Sequence, residues 1–354
     1  MKALIPCAGR GKRLRPLTFT NSKPLIPIAN KPLVQYAIDA IKKVGVTDIG
    51  IVVGDNTRDM EEVLKDGSQF GVKLTYIPQE QPLGIAHTIM VSKEFLGGDP
   101  FIMYLGDNLL QDGLQSAVER FQKNQLHALL FLRHTDKPQL YGIAVVEDDR
   151  VVRLVEKPKV PPSNLACIGI YIFSPVIHEI VHKMKPSARG EYEITDAIQG
   201  IIDTGGRVEH HTLQGWWIDA GNPEDMIEAN RLVLQNLETN IEGYTDEKSD
   251  IRGSVRIGRG TRVESSTIRG PVIIGENCTI RDAFVGSFTS IGSNSELISC
   301  EVEYSVIMQD CEISHIEKRI DNSILGRNVT ITSSSRRPRS HKLLLSDDSE
   351  AELG

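Results

Sequence analysis

A six-residue unit, apolar–Gly–x–x–small–x in its strictest form, recurs through the last third of the chain. It reads "IGRGTR" at 257, "IGENCT" at 274, "IGSNSE" at 291, "IMQDCE" at 307 and "LGRNVT" at 325, with steps of 17, 17, 16 and 18 residues. No other feature restricts the possible folds as much. Three such units make one turn of roughly 18 residues, and a single turn cannot bury its own apolar face, so turns must stack. The pattern resembles a left-handed parallel β-helix of roughly four coils over residues 250–331. An antiparallel sandwich with glycine turns is the alternative reading. Residues 332–354, "SSSRRPRSHKLLLSDDSEAELG" from 333 onward, are polar and low in complexity and read as a disordered tail.

The texture up to about Leu237 is different. Apolar runs such as "KALIPC", "IGIVVG", "KLTYIPQ", "FIMYLGDN" and "ALLFLRH" alternate with amphipathic stretches at 33–44, 57–66, 83–95 and 113–124. Short branched runs between helical patterns predict β-α-β units. The expected fold over 1–240 is therefore α/β and Rossmann-like, with a mostly parallel sheet. "YGIAVVE", "VVRLVEKP", "ACIGIYIFS" and "VEHHTLQGWWIDA" read as strands of a mixed extension. A chain of 354 residues has room for about two such domains. Ligands in sheets of this kind sit beyond the carboxyl ends of the strands.

At one such end lies "PCAGRGKRLRPLTFTNSKPLIPI", residues 6–28. Its glycines let backbone N–H groups crowd a ligand, and Arg10, Lys12, Arg13, Arg15 and Lys23 suit an anion. Leu14 stands where a dinucleotide fingerprint needs glycine, and the Gly-Lys-Ser/Thr of a Walker loop is missing. The basic loop is local, because the chain as a whole carries a formal charge of −7, which argues against nucleic acid as a main partner. No apolar run reaches the roughly 18 residues of a membrane span. The opening "MKALIPCAG" is too short and too soon interrupted by Arg10 for a secretory signal. Five cysteines without Cys-x-x-Cys spacing read as reduced thiols, so the expected location is cytoplasmic.

Gly9-x-Gly11-x-Arg13-Leu14-x-Pro16-Leu17-Thr18, followed by Lys23-Pro24, resembles the signature of sugar-phosphate nucleotidyltransferases. Further stretches of that family's pattern follow in order: "YIPQEQPLGIAHT" (76–88), "LGDN" (105–108), "EKP" (156–158) and "WIDAGNPED" (217–225). The resemblance covers about residues 1–331 and is nearest to the long forms with a β-helical tail. It implies transfer of a nucleoside monophosphate from dTTP to glucose 1-phosphate, giving dTDP-glucose and pyrophosphate. It further implies Mg²⁺ held by Asp107 and Asp219, with Arg13 and Lys23 neutralising the departing pyrophosphate. Gly9 and Gly11 would admit the triphosphate, and Gln79 with the Gly84 backbone would read the base. Lys157 would hold the sugar phosphate, with Glu156, Gly142, Gly169 and Tyr171 lining the hexose site. The implied partners are small molecules, a nucleoside triphosphate and a hexose 1-phosphate, and a homo-oligomer is expected.

Both substrates are anions, so the reaction needs charge neutralisation and in-line positioning more than covalent catalysis. Alternatives remain: a UTP-using or other hexose-1-phosphate uridylyltransferase, an added acyltransferase activity in the β-helix, or a non-catalytic regulatory subunit. From Ile251 to Ile331 the only histidine that could serve acyl transfer is His315. Cys7, His87 and the second-tier acids Glu191 and Asp196 read as packing or supporting residues. Lys12 replaces a usual threonine of the glycine loop, and Ile168 replaces a threonine that short forms carry near the sugar. Truncation after Asn240 is expected to leave a folded catalytic domain.

Overall fold

A computed structural model describes residues 1–333 and 347–352. Most of the expected disordered tail, residues 334–346 and 353–354, lies outside the described residues. Packing divides the chain into two units. The first comprises Met1–Arg10, Ser22–Leu25 and Leu33–Asp219; the second comprises Gly11–Asn21, Ile26–Pro32 and the chain from Ala220 onward.

The apolar runs of the first unit form one nine-stranded sheet. Its order is Lys73–Pro78, Asp48–Val53, Lys2–Pro6, Phe101–Tyr104, Leu165–Phe173, Ala128–His134, Val208–Thr212, Arg150–Glu156, Gly142–Glu147. Only Leu165–Phe173 and Arg150–Glu156 run against the rest, so seven of the nine strands share one direction. Alternation along each strand feeds two cores. Ala3 and Ile5 pack with the helices Leu33–Lys43, Thr57–Leu64 and Gln115–Asn124 on one face. Leu4 faces the other way, onto Ile85–Val91, Ile177–Lys183 and Ile194–Asp203. Helices on both faces of such a sheet leave its strand ends as the place where loops converge. All five cysteines are buried and free, in keeping with reduced thiols. Among the described residues no helix is long and apolar enough to cross a membrane.

In the second unit the repeats form three parallel sheets, two of six strands and one of five, as expected of a left-handed parallel β-helix. Among the described residues that is five complete coils and two strands of a sixth, more than the four read from the sequence. The surplus comes mainly from a first coil at Asn240–Ile241, Tyr244–Thr245 and Asp250–Arg252, which lacks the glycine pattern. The first residues of the repeat units stack in register, Ile257 on Ile274, Ile291, Ile307 and Leu325. The "small" position of the unit is a second ladder. Thr261 Oγ1 donates to Gly275 O (2.7 Å), Cys278 Sγ to Gly292 O (3.3 Å) and Cys311 Sγ to Gly326 O (3.1 Å). The glycine is required by stacking, since a Cβ on Gly275 would lie 2.5 Å from Ser293 N in the next coil. His315 takes a left-handed corner (φ 57°), as Ser265, Asp282 and Ser299 do.

The second unit also takes in a piece of chain far from the repeats. Pro27–Ile28 and Lys31–Pro32 pair as a hairpin whose two central residues, Ala29 (φ 47°) and Asn30 (φ 61°), are left-handed. Alanine is a poor residue for that conformation, and side chains hold it there. Ala29 N donates to Asn230 Oδ1 (2.9 Å), Asn230 Nδ2 donates to Phe288 O (2.9 Å), and Asn30 Nδ2 donates to Ile291 O (2.7 Å). Asn230 lies on the helix Pro223–Leu234, capped by Asn222, which accepts from Asp225 N. Packing thus divides at 219/220, and the units do not coincide with the segments 1–240 and 250–331. Truncation after Asn240 removes Phe288 and Ile291, the partners of both asparagines.

Asn230 is 1% exposed, so Asn230→Ala strands one donor and one acceptor in a dry site. The expected cost is about 2–4 kcal/mol. Thermal unfolding of the full chain checks it: a Tm lowered by several degrees is expected, and an unchanged Tm would show that the hairpin does not depend on this side chain.

Candidate active site

Asp107 follows the central strand Phe101–Tyr104, and Asp219 ends the short strand Trp217–Asp219. They meet because that strand pairs antiparallel with Asn108–Leu110, setting Asp219 opposite Asn108. Lys23 lies with both carboxylates, its Nζ 2.5 Å from Asp107 Oδ2 and 3.8 Å from Asp219 Oδ1. The lysine side chain is only 10% exposed, while the carboxylates keep 29% and 32%. Three residues expected from sequence are thus brought together at the strand ends. Lys23 was expected on the pyrophosphate; here its ammonium lies against both acids.

Two residues missed by sequence reasoning orient this cluster. Trp217 Nε1 donates to Asn108 Oδ1 (2.6 Å), and Asn108 Nδ2 donates to Asp107 Oδ1 (2.9 Å). Asn108 is 3% exposed, so its amide has little freedom. Trp217 is itself held, with Arg133 donating to its carbonyl (3.1 Å) and its ring set edge-on against Tyr141 at 5.7 Å. Asn108 stands within the "GDN" stretch and could have been suspected; the Trp217 contact spans 109 residues and leaves no local signal. Cys7 packs close to this site: a Cβ on Gly106 would lie 2.6 Å from its Sγ. Burial, with Asp107 nearby, raises the Cys7 thiol pKa, which keeps it protonated and unreactive.

The second group follows the strand Lys73–Pro78. Gln79 is 5% exposed, and its Nε2 donates to His87 Nδ1 (2.9 Å). His87, read from sequence as a packing residue, stacks on Tyr192 at 5.9 Å, and burial lowers its pKa, which keeps the ring neutral. Gly84 (φ 103°) is wrapped by Tyr192, whose N donates to Leu83 O (2.7 Å) and whose carbonyl accepts from Ala86 N (3.0 Å). A Cβ on Gly84 would lie 2.6 Å from that carbonyl, so only glycine fits.

The third group surrounds Glu156. Its Oε2 accepts from Thr195 Oγ1 (3.2 Å), while Lys157 Nζ (3.5 Å) and Arg189 (3.4 Å) face Oε1. Lys157 is exposed and left-handed (φ 38°) although Pro158 follows, an unusual conformation pinned by its N–H donating to Tyr141 O (3.0 Å). Gly142 lies against this cluster, where a Cβ would meet Thr195 Cγ2 at 2.6 Å. Gly169 (φ 79°) sits in an irregularity of its strand and presses on Leu105, whose N donates to its carbonyl (3.0 Å). Tyr171 is buried, stacked on Phe173 at 5.7 Å, and belongs to the core more than to a lining. Glu193 is also buried here, and burial foremost, with Glu156 nearby, raises its pKa.

The glycine loop is divided between the units. Gly9 is exposed in the first unit. Gly11 (φ 58°) and Arg13 belong to the second, where the Gly11 carbonyl accepts from Leu14 N (2.9 Å) and Thr18 Oγ1 (2.9 Å). Arg13 is exposed and pairs with no carboxylate among the described residues. Arg10 pairs with Asp55 (3.0 Å), and Arg15 lies over Phe19 and 3.8 Å from Asp348.

The chemistry of the first cluster fits Mg²⁺. That ion takes one or two carboxylates and completes its octahedron with phosphates and water. Among the described residues no set of three metal-ligating side chains exists. Asp107 and Asp219, held side by side with Lys23 against both, are the two protein carboxylates that such an ion would use.

A sequence model of the family described as "Nucleotidyl transferase" matches residues 2–236. The chain is 43% identical over 355 residues to a glucose-1-phosphate thymidylyltransferase of Streptomyces antibioticus, covering 100% of this chain and 99% of the relative. A low-salt glycan biosynthesis nucleotidyltransferase of Haloferax volcanii is 42% identical over 358 residues, covering both chains fully. Among solved structures, a UDP-glucose pyrophosphorylase complexed with UDP-glucose superposes with a TM-score of 0.60 at 31% identity, covering 66% of this chain and 98% of the other.

Binding of Mn²⁺, followed by electron paramagnetic resonance, tests the cluster. Asp107→Asn and Asp219→Asn should each weaken binding at least tenfold. Trp217→Phe, which keeps the ring and loses the N–H, should weaken it by up to about tenfold through Asn108. Unchanged Mn²⁺ affinity in either aspartate variant would remove that carboxylate from the metal site.

Proposed function

Since this chain belongs to the nucleotidyl transferase family and is an enzyme of that family, we propose that it transfers a thymidylyl group from dTTP to glucose 1-phosphate. The products are dTDP-glucose and pyrophosphate. The observation that carries the reading is the joining of Asp107, Asp219 and Lys23 at the strand ends. The thymidylyltransferase of Streptomyces antibioticus, alike over its whole length, supports the choice of substrates.

In this mechanism a phosphate oxygen of glucose 1-phosphate attacks the α-phosphorus as the bond from that phosphorus to the pyrophosphate oxygen breaks. Lys157 holds the sugar phosphate as a compact point charge on a fixed backbone. Glu156, steadied by Thr195 and Arg189, accepts from hexose hydroxyls, with Gly142 and Gly169 shaping the space around them. Gln79 and the Gly84 backbone hold the pyrimidine edge. Gly9 admits the triphosphate, and Lys23 leaves the carboxylates to follow the departing pyrophosphate. Mg²⁺ bound by Asp107 and Asp219 would neutralise phosphate charge on both substrates and favour the in-line arrangement.

A uridylyl transfer is the second reading, favoured by the likeness to the UDP-glucose pyrophosphorylase. The two nucleotides differ by one methyl and one ribose hydroxyl, and a methyl-sized contact discriminates by only about 1–3 kcal/mol. Pyrophosphate release from dTTP and from UTP, each with glucose 1-phosphate and with or without Mg²⁺, decides between them. A clear preference for dTTP that vanishes without Mg²⁺ is expected. A preference for UTP would establish the second reading, and no release from any nucleotide would overturn both.

Lys157→Ala should raise the KM for glucose 1-phosphate on the order of tenfold to a hundredfold, the worth of one charge-assisted contact. The nucleotide KM should change little. A collapse of nucleotide affinity with the sugar-phosphate KM intact would mean that the two subsites are reversed.

A further inference from the structure

Within the first unit, away from the strand-end carboxylates, the helices Ile85–Val91, Lys93–Leu96 and Ile177–Lys183 line a small half-open cavity of about 130 Å³, with Lys93 and His182 themselves exposed. That is several times the ~10–15 Å³ that one water requires. Its polar lining is Lys93, His178, His182 and Tyr192, with Met90 and Met184 among the apolar walls and, among the described residues, no carboxylate in the lining. His178 is 8% exposed and set against Phe101 at 6.1 Å, and among the described residues neither of its ring nitrogens has a hydrogen-bond partner. An imidazole buried with both nitrogens unpaired by protein is uncommon, and it leaves them to a water or a ligand.

The chemistry of the lining selects that occupant. His178 and His182 stand one helical turn apart, in the spacing His-Glu-x-x-His that some zinc sites use. Here the third polar group is the Lys93 ammonium, which repels a metal ion and acts on His178 as a like charge. A lysine and two imidazoles without an acid make a donor set for an anion.

We propose that this cavity binds a small tetrahedral oxyanion of the phosphate class and that its occupancy tunes nucleotide affinity through Tyr192. A turn of the His178 ring presents a nitrogen to the oxyanion, beside Lys93 and His182. Tyr192 lines the cavity, wraps Gly84 with its backbone and stacks on His87, which accepts from Gln79. An anion drawn against Tyr192 therefore bears on the segment assigned to the base; this coupling rests on the function proposed above, whereas the binding does not.

The test uses the full chain with ¹³C-labelled histidine, titrated with inorganic phosphate and observed by NMR. The His178 and His182 ring signals should shift and saturate in the millimolar range. Both responses should be lost in Lys93→Met, while any phosphate response at the strand-end site should persist. His178→Phe should stay folded, with undiminished Tm, since it removes two unpaired nitrogens against an aromatic neighbour. In the wild type, saturating phosphate should change the dTTP dissociation constant at least threefold more than in His178→Phe. By reciprocity dTTP should change phosphate affinity at the cavity equally. Silent histidine signals, or equal shifts in Lys93→Met, would overturn the site. A response of both histidines to Zn²⁺ alone would replace it with a metal site. Phosphate binding with an unaltered dTTP constant would overturn the coupling only. Failure of dTTP to bind at all would count against the proposed function, with the histidine titration still deciding the cavity.

Discussion

Two carboxylates separated by 112 residues of chain are held together by a strand pair only three residues long, and the active site depends on that pairing. Like charges this close repel, and partial burial strengthens the repulsion. The Lys23 ammonium answers it directly, at 2.5 and 3.8 Å. The arrangement stores a demand for positive charge at one point on the strand ends. On the function proposed above, a divalent cation carried in with the substrate phosphates would answer the same repulsion, and Lys23 would be released without leaving the acids unpaired. The hydrogen bonds from Trp217 to Asn108 and from Asn108 to Asp107 keep one carboxylate oriented.

The β-helix follows a different logic. Its stability is distributed, each coil supplying apolar residues in register and hydroxyl or thiol donors to the next coil's carbonyls. Such a stack is stiff because its backbone hydrogen bonds run between coils. The hairpin at 27–32, with two left-handed residues, is fastened within the same unit by Asn230 and Asn30. A strained turn persists where its surroundings over-determine it. The hairpin is covalently continuous with Lys23-Pro24-Leu25, so the repeats and the signature loop are not independent modules in the sequence.

Much of this was legible in the sequence, for identifiable reasons. Repeats at a 16–18-residue step reappear as strand registers, since stacking forces equivalent residues into one ladder. Alternating apolar runs and amphipathic stretches reappear as strands and helices, since local periodicity decides both. Asp107 and Asp219 could be named as a pair because each sits in a recognisable stretch. The first coil at 240–252 was missed because it has no apolar-Gly unit, and stacking on the next coil makes up for the lack. Trp217 was missed because its partner lies across a strand pair no local pattern announces. Tyr171 was placed at the hexose site by resemblance, whereas its strand register turns it into the core beside Phe173. Local rules read elements well, and they do not read side-chain bonds made across a hundred residues.

The central claim, that Asp107, Asp219 and Lys23 form an exchangeable cation site for phosphoryl chemistry, is tested most directly by crystallography. Crystals soaked with Mn²⁺ and a non-hydrolysable analogue of dTTP would be measured at the manganese absorption edge. The account predicts an anomalous peak ligated by both carboxylates and by phosphate oxygens, with the Lys23 ammonium withdrawn from Asp107. A manganese ion elsewhere in the fold, with Lys23 still paired to Asp107 beside a bound nucleotide, would contradict it.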